Sequence, residues 1–292
     1  MTERSAPRAR ALVIAAAATF STGGAAIKAT TLSAWQVACL RSAVAAVVLL
    51  LLLPAARRGM SRRSLIVGVA YGATMVSFVL ANKLTTAANT IFLQSTAPLY
   101  VLLASPWLLQ ERMQRRDVPY LLVLAFGLSL FFVGVRPPDR LAPNPLLGNI
   151  VAAGAGVAWA FTVLGLRWLS RPDARGYAPD NMTGVLAGNV IAFVVTLPFA
   201  LPIAHATPTD FAAIGYLGVV QIGMSYWLLS RGLRDVPALE ASLLLLVEPV
   251  LNPIWAFVWH GETPGGWAIA GGAIILGATA VRTRWVRSEA AG

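Results

Sequence analysis

Apolar residues fill this chain in blocks of about twenty, separated by short polar connectors. Ten blocks can be read, at 11–27, 33–53, 64–82, 87–109, 118–135, 146–166, 182–203, 210–230, 238–260 and 265–283. A helix rises 1.5 Å per residue, so about twenty apolar residues cross the ~30 Å hydrocarbon layer of a bilayer. The alternating ten-residue segments of an outer-membrane barrel are not visible. The connectors include ARRGMSRR (55–62), ERMQRRD (111–117), RPPDRLAPNP (136–145) and SRPDARGYAPDN (170–181), none long enough for a soluble domain. The expected fold is all-α and integral to the membrane, with residues 1–292 as one transmembrane domain of ten helices.

An internal echo divides that domain. Ala87–Glu111, AANTIFLQSTAPLYVLLASPWLLQE, aligns with Ala238–Glu262, ALEASLLLLVEPVLNPIWAFVWHGE, at an offset of 151 residues. Ala87 falls on Ala238, Leu93 on Leu244, Pro98 on Pro249 and Glu111 on Glu262. The shared register of the proline and the terminal glutamate points to duplication, with a first repeat over 11–135 and a second over 146–283. Five spans per repeat is an odd number, so the second repeat enters the bilayer from the opposite side. Inverted-topology repeats recur in secondary transporters, where substrate binds near mid-membrane between them. Glu111 is then expected at the cytoplasmic face and Glu262 at the outer face.

Composition agrees with this reading and fixes an orientation. The 292 residues are 57% hydrophobic and 12% charged, against roughly a quarter charged for a soluble domain, so no polar surface can be covered. The net charge of +11 does not point to nucleic acid, because the arginines cluster in inter-span connectors. Eighteen of the 23 Lys and Arg fall at the termini and the even-numbered connectors, whereas Lys28, Lys83, Arg136 and Arg140 occupy the other side and Arg41 lies within a span. That asymmetry places both termini in the cytoplasm. The first apolar run reads as a retained helix rather than a cleaved signal. The single cysteine, Cys39, excludes an internal disulfide and a cysteine-rich metal site.

Candidate chemistry is sparse. Glu248 is the one acid clearly inside a span, and an ionisable group there is costly enough to suggest function: a cationic substrate group or a coupling proton. Arg41 either meets a substrate carboxylate or pairs with Glu248 as structural glue, and the pair is the preferred expectation. Pro98 and Pro249 each remove a backbone hydrogen bond in mid-span, and Pro106 and Pro253 repeat the break, so these helices are expected to bend and to gate. Polar and aromatic residues inside spans are candidates to line a cavity: Trp159, Tyr71, Tyr100, Gln94, Ser77, Asn89, Gln221, Tyr226, Glu248 and Asn252. Trp159 stands out because AGAGVAWAF sets it deep in a span among small residues. The GxxxG pairs Gly68/Gly72 and Gly184/Gly188 predict close helix contacts. Neither lysine follows a glycine, so there is no nucleotide-binding loop. His205 and His260 have no companion ligands for a metal, and no nucleophile–base pair can be assembled. No enzyme activity, cofactor or metal is expected, and a monomer is expected rather than a dimer.

The paired A…P…E stretches, each followed by a glycine-bearing final span (Gly127 and Gly134; Gly271, Gly272 and Gly277), resemble the drug/metabolite transporter superfamily, and within it the EamA-type, ten-helix branch. The resemblance covers the whole chain as two repeats. It implies an exporter of the bacterial inner membrane that moves amino acids or related metabolites without ATP. Inside that branch the chain looks most like exporters of aromatic amino acids. Lys83 and Asn89 depart from the smoother apolar pattern of such repeats and leave specificity open. The alternatives are export of other metabolites or cationic drugs, or a non-transporting scaffold or lipid-handling protein.

Overall fold

The computed structural model describes residues 5–52, 60–108, 117–135, 137–169, 181–232, 236, 241 and 244–291. Every regular element among them is helical. The first span is split into α1 (Ser5–Ser21) and α2 (Gly23–Lys28). α3 (Ala34–Leu52) and α4 (Arg62–Leu84) follow, and the fourth span is split into α5 (Ala87–Gln94) and α6 (Ala97–Leu108). α7 (Asp117–Val133), α8 (Pro145–Leu169) and α9 (Asn181–Ala200) make the fifth to seventh spans. The eighth comprises α10 (Pro208–Tyr216), a π-helical segment (Leu217–Met224) and α11 (Ser225–Gly232). α12 (Val247–His260) and α13 (Gly266–Ala291) complete the bundle. Among the described residues, seven helical runs are long and apolar enough to cross a membrane, and two shorter apolar helices accompany them. Glu111 and the connector residues Arg57, Arg58, Arg112, Arg115, Arg116, Arg171, Arg175 and Arg234 lie outside the described residues.

The helix starts follow local chemistry. The Ser61 hydroxyl accepts from the Ser64 N–H at the head of α4, and Thr86 does the same for Asn89 at the head of α5. Thr207 and Asp210 form a reciprocal capping box at the start of α10. Large apolar side chains such as Leu51, Ile66, Leu122 and Val258 point outward and are exposed, as a lipid-facing surface requires.

The principal helix contacts are symmetric. The first span packs on the eighth and ninth, and the sixth packs correspondingly on the third and fourth. The second packs on the seventh and eighth, the seventh on the second and third, and the fifth on the tenth. Exchanging the two halves maps these principal contacts onto one another. That is the relation expected of two inverted five-helix repeats interlocked about a pseudo-two-fold axis.

Glycine permits the closest of these approaches. A Cβ built on Gly68 of α4 would lie 2.8 Å from Ala187 Cβ and 3.0 Å from Gly188 N of α9. The two GxxxG motifs therefore pack on each other inside one molecule.

The proline-bearing spans are not bent helices but interrupted ones. α5 ends at Gln94 and α6 begins at Ala97, so Pro98 sits in the first turn of a new helix. Leu246 caps α12 in the same way, ahead of Pro249. Proline is tolerated in a first turn because its missing N–H would have no intrahelical partner there. The two breaks, at Ser95 and Leu246, are again 151 residues apart. Pro106 and Pro253 lie within α6 and α12. The π-helical segment of the eighth span was not legible in the sequence. Its Gly218 and Gly223 press against α3, where an added Cβ would fall 2.5 Å from Val44 Cβ and 2.3 Å from Val48 Cγ1.

Candidate functional site

A cavity of about 410 Å³ lies where the two repeats meet. Both helix breaks open onto it: Gln94, Ser95 and Pro98 from the fourth span, and Leu245, Leu246, Glu248 and Pro249 from the ninth. The third span contributes Tyr71, Met75 and Phe78, which share one helix face at positions i, i+4 and i+7. Trp159 projects from α8, Phe20 from α1, and Gln221 and Tyr226 from the eighth span. The aromatic groups form a connected wall. The Tyr226 ring centroid is 5.0 Å from Phe20 and 5.9 Å from Tyr71, both edge-on. Gln221, in the middle of the π-helical segment, donates its Nε2 hydrogen to the Phe20 carbonyl oxygen at 3.3 Å. The π turn thus sets a polar side chain into the aromatic wall, a placement common at functional sites.

Two charged groups line this cavity and do not meet. Arg41 is fully buried; its Nη2 donates to the Met75 carbonyl oxygen at 2.9 Å and approaches Met75 Sδ at 3.5 Å. Its Nε has no hydrogen-bond partner. Glu248 makes no hydrogen bond or ion pair with any described residue. The expected Arg41–Glu248 pair is therefore absent. The two side chains belong to α3 and α12, which do not pack on each other, and the cavity intervenes.

Six of the residues expected from sequence as cavity lining converge here: Trp159, Tyr71, Gln94, Gln221, Tyr226 and Glu248. Tyr100, Ser77, Asn89 and Asn252 do not line it. Tyr100 is two residues past Pro98 and Ser77 two past Met75, a rotation of about 200° that turns each to another face of its helix. Asn89 lies more than a turn nearer the end of the bundle, where its Nδ2 donates to Asn149 Oδ1 at 3.0 Å and ties α5 to α8. Asn252 is one turn beyond Glu248 and is covered by Gly24, whose Cβ position would be 3.1 Å from Asn252 Oδ1. Phe20, Met75 and Phe78 were missed because a lone apolar residue in an apolar span carries no signal of its own.

The end of the bundle bearing Lys28 is sealed by polar contacts. Lys28 Nζ lies 3.0 Å from Glu262 Oε2, with each side chain only 3% exposed, and also donates to the Thr85 carbonyl oxygen at 2.8 Å. Glu262 Oε1 accepts from the Ala87 N–H at 2.6 Å, the first residue of α5. Lys83 Nζ donates to the Thr30 carbonyl oxygen at 2.7 Å. Asp210 accepts from the Thr31 N–H at 2.6 Å and from the Thr31 hydroxyl at 2.7 Å. The departures Lys83 and Asn89 are thus structural ties between spans at this end. None of these charged groups lines the 410 Å³ cavity. A smaller pocket of about 110 Å³ lies beside the cluster, lined in part by Thr86, Asn89, Asn149 and Glu262.

A helical membrane bundle with a cavity at the seam of two inverted repeats is the architecture of a secondary transporter. The chain belongs to the EamA-like transporter family, whose model matches it twice, over residues 8–133 and 146–283. Two similar proteins are exporters by name. The pseudopaline exporter CntI of Pseudomonas aeruginosa is 28% identical over 91% of this chain and 92% of its own. The threonine/homoserine exporter RhtA of Salmonella typhimurium is 25% identical over 77% of this chain and 72% of its own. A crystal structure with a TM-score of 0.62 and 20% identity covers 96% of this chain and 98% of its own, and shares the fold.

Proposed function

We propose that this protein is a secondary exporter of amino acids and related small metabolites, working by alternating access across a bacterial inner membrane. Both termini and the arginine-rich connectors lie on the cytoplasmic side in this reading, and the Lys28–Glu262 cluster faces outward. The observation that carries it is the central cavity, walled at once by the two interrupted spans at repeat-related positions. A break in a helix is a place where its halves move separately, and two breaks on one cavity allow either side to be opened in turn. The volume falls within the ~300–1,000 Å³ of small-molecule pockets. Aromatic amino acids are the leading substrates, because Phe20, Tyr71, Trp159 and Tyr226 offer ring faces and edges on several sides. By their names the two relatives export pseudopaline and threonine/homoserine, and the second supports amino-acid solutes in general.

The test is exchange in proteoliposomes that hold the purified protein and unlabelled amino acids. Saturable uptake of labelled Phe, Trp or Tyr is the expected result. Exchange confined to other amino acids would remove the aromatic preference and keep the transport mechanism. Failure to exchange any of them, from folded protein, would leave the drug-export or scaffold readings.

A further inference from the structure

Among the described residues, several buried or half-buried charges away from the cavity are held by polar partners. Lys28 meets Glu262, Asp117 meets Arg282, Asp210 is held by Thr31 and Thr207, and Lys83 is held by Thr30. Arg41, whose Nε has no hydrogen-bond partner, and Glu248 are less fully held, and both stand on the wall of one cavity. Moving an ion out of water costs several kcal/mol even after relaxation, unless a partner offsets it. Ionisable groups within membrane spans are for that reason normally paired with each other or with backbone. Arg41 keeps the carbonyl and the sulfur of Met75, and Glu248 has no hydrogen bond or ion pair with any described residue.

We infer that Arg41 and Glu248 form a two-point recognition site for a zwitterion, in which Arg41 receives the carboxylate and Glu248 the ammonium group of the solute. This deepens the amino-acid reading above and rests on it. The guanidinium is suited to the task. Its bond to the Met75 carbonyl fixes its orientation, and its planar array of donors matches a carboxylate. Glu248 sits in the first turn of α12, beside the break, where the backbone leaves its side chain on the cavity wall. The rings of Tyr71 and Tyr226 and the indole of Trp159 line the same cavity and take up the remainder of the solute. An occupant with both charges neutralises both walls. A simple amine leaves Arg41 uncompensated and adds its own positive charge to the cavity, whereas a simple acid leaves Glu248 in the same position. The site therefore discriminates against singly charged analogues of its substrate, including cationic drugs of similar size.

The inference is tested on the wild-type protein first, by competition against exchange of a labelled amino acid that it transports. For phenylalanine the competitors are phenethylamine, which lacks the carboxylate, and 3-phenylpropionate, which lacks the ammonium group. For threonine the competitors are the corresponding amino alcohol and hydroxy acid. Each singly charged analogue is expected to compete about 10- to 100-fold more weakly than the amino acid, the loss that follows from one charged hydrogen bond. Either analogue competing as well as the amino acid would overturn the inference while exchange itself persisted. Absence of exchange with any amino acid would instead end the amino-acid reading, and this inference with it. Assignment to the two residues uses Arg41→Gln and Glu248→Gln. Arg41→Gln is expected to bring the amine close to parity with the amino acid, and Glu248→Gln to do so for the acid. Unchanged selectivity in folded variants that still exchange would overturn the assignment. If neither variant folds, the wild-type competition decides.

Discussion

Lys28 at the end of α2 and Glu262 just beyond α12 form an ion pair of 3.0 Å with both side chains almost fully buried. Because Glu262 also holds the first N–H of α5 and Lys28 also holds the end of α4, one pair joins four spans. Removing one member leaves an uncompensated buried charge, at a cost of about 3–5 kcal/mol, whereas removing both leaves none. Lys28→Gln and Glu262→Gln are each expected to lower the melting temperature strongly, and the double variant to be less damaged than the sum of the two. Additive losses in that cycle would show the pair to be uncoupled.

The same pair holds the outer end closed in the alternating-access reading. With Cys39 replaced by Ala, a cysteine placed at Thr86 is expected to react slowly with an impermeant thiol reagent added from outside. Glu262→Gln is expected to speed that labelling several-fold. Equal labelling rates would separate the ion pair from closure of the outer end.

Pro98 and Pro249 occupy the first turns that follow the two breaks. Replacing either by Ala restores an N–H and lets the helix run on across the gap. Exchange is expected to slow several-fold while the melting temperature holds or rises. Full-speed exchange in the double Pro98→Ala/Pro249→Ala variant would remove these breaks from the transport cycle.

Gly68 marks a close contact of α4 with α9, where the obstruction includes backbone atoms that cannot rotate away. Gly68→Ala is expected to cost about 1–3 kcal/mol by overpacking. A loss of stability that depends on protein concentration would point instead to a contact between two chains.

Trp159 reaches the cavity from α8. In the Cys39→Ala background, Trp159→Cys should be alkylated from the cavity, and a transported amino acid should slow the reaction. No protection at saturating substrate would take Trp159 off the binding surface.

Hydropathy and spacing are local properties, and they determined the local features: helices only, ten blocks of membrane-spanning length, and two homologous stretches. They also located the two prolines that stand just after the helix breaks. Trp159 and Glu248 were legible for the same reason, since a large ring among glycines and alanines and an acid in an apolar run are each visible without knowledge of any neighbour. Whether Tyr71 or Ser77 faces the cavity depends on rotation around the helix axis relative to other helices, and the composition of a uniformly apolar span does not set that phase. Gln221 lines the cavity through a π turn that no residue pattern announced. The pairing of charges was decided wholly by the fold. Lys28 and Glu262 are 234 residues apart and meet because the first and ninth spans pack together. Arg41 and Glu248, expected to meet, stay apart because α3 and α12 do not pack together and a cavity lies between their side chains.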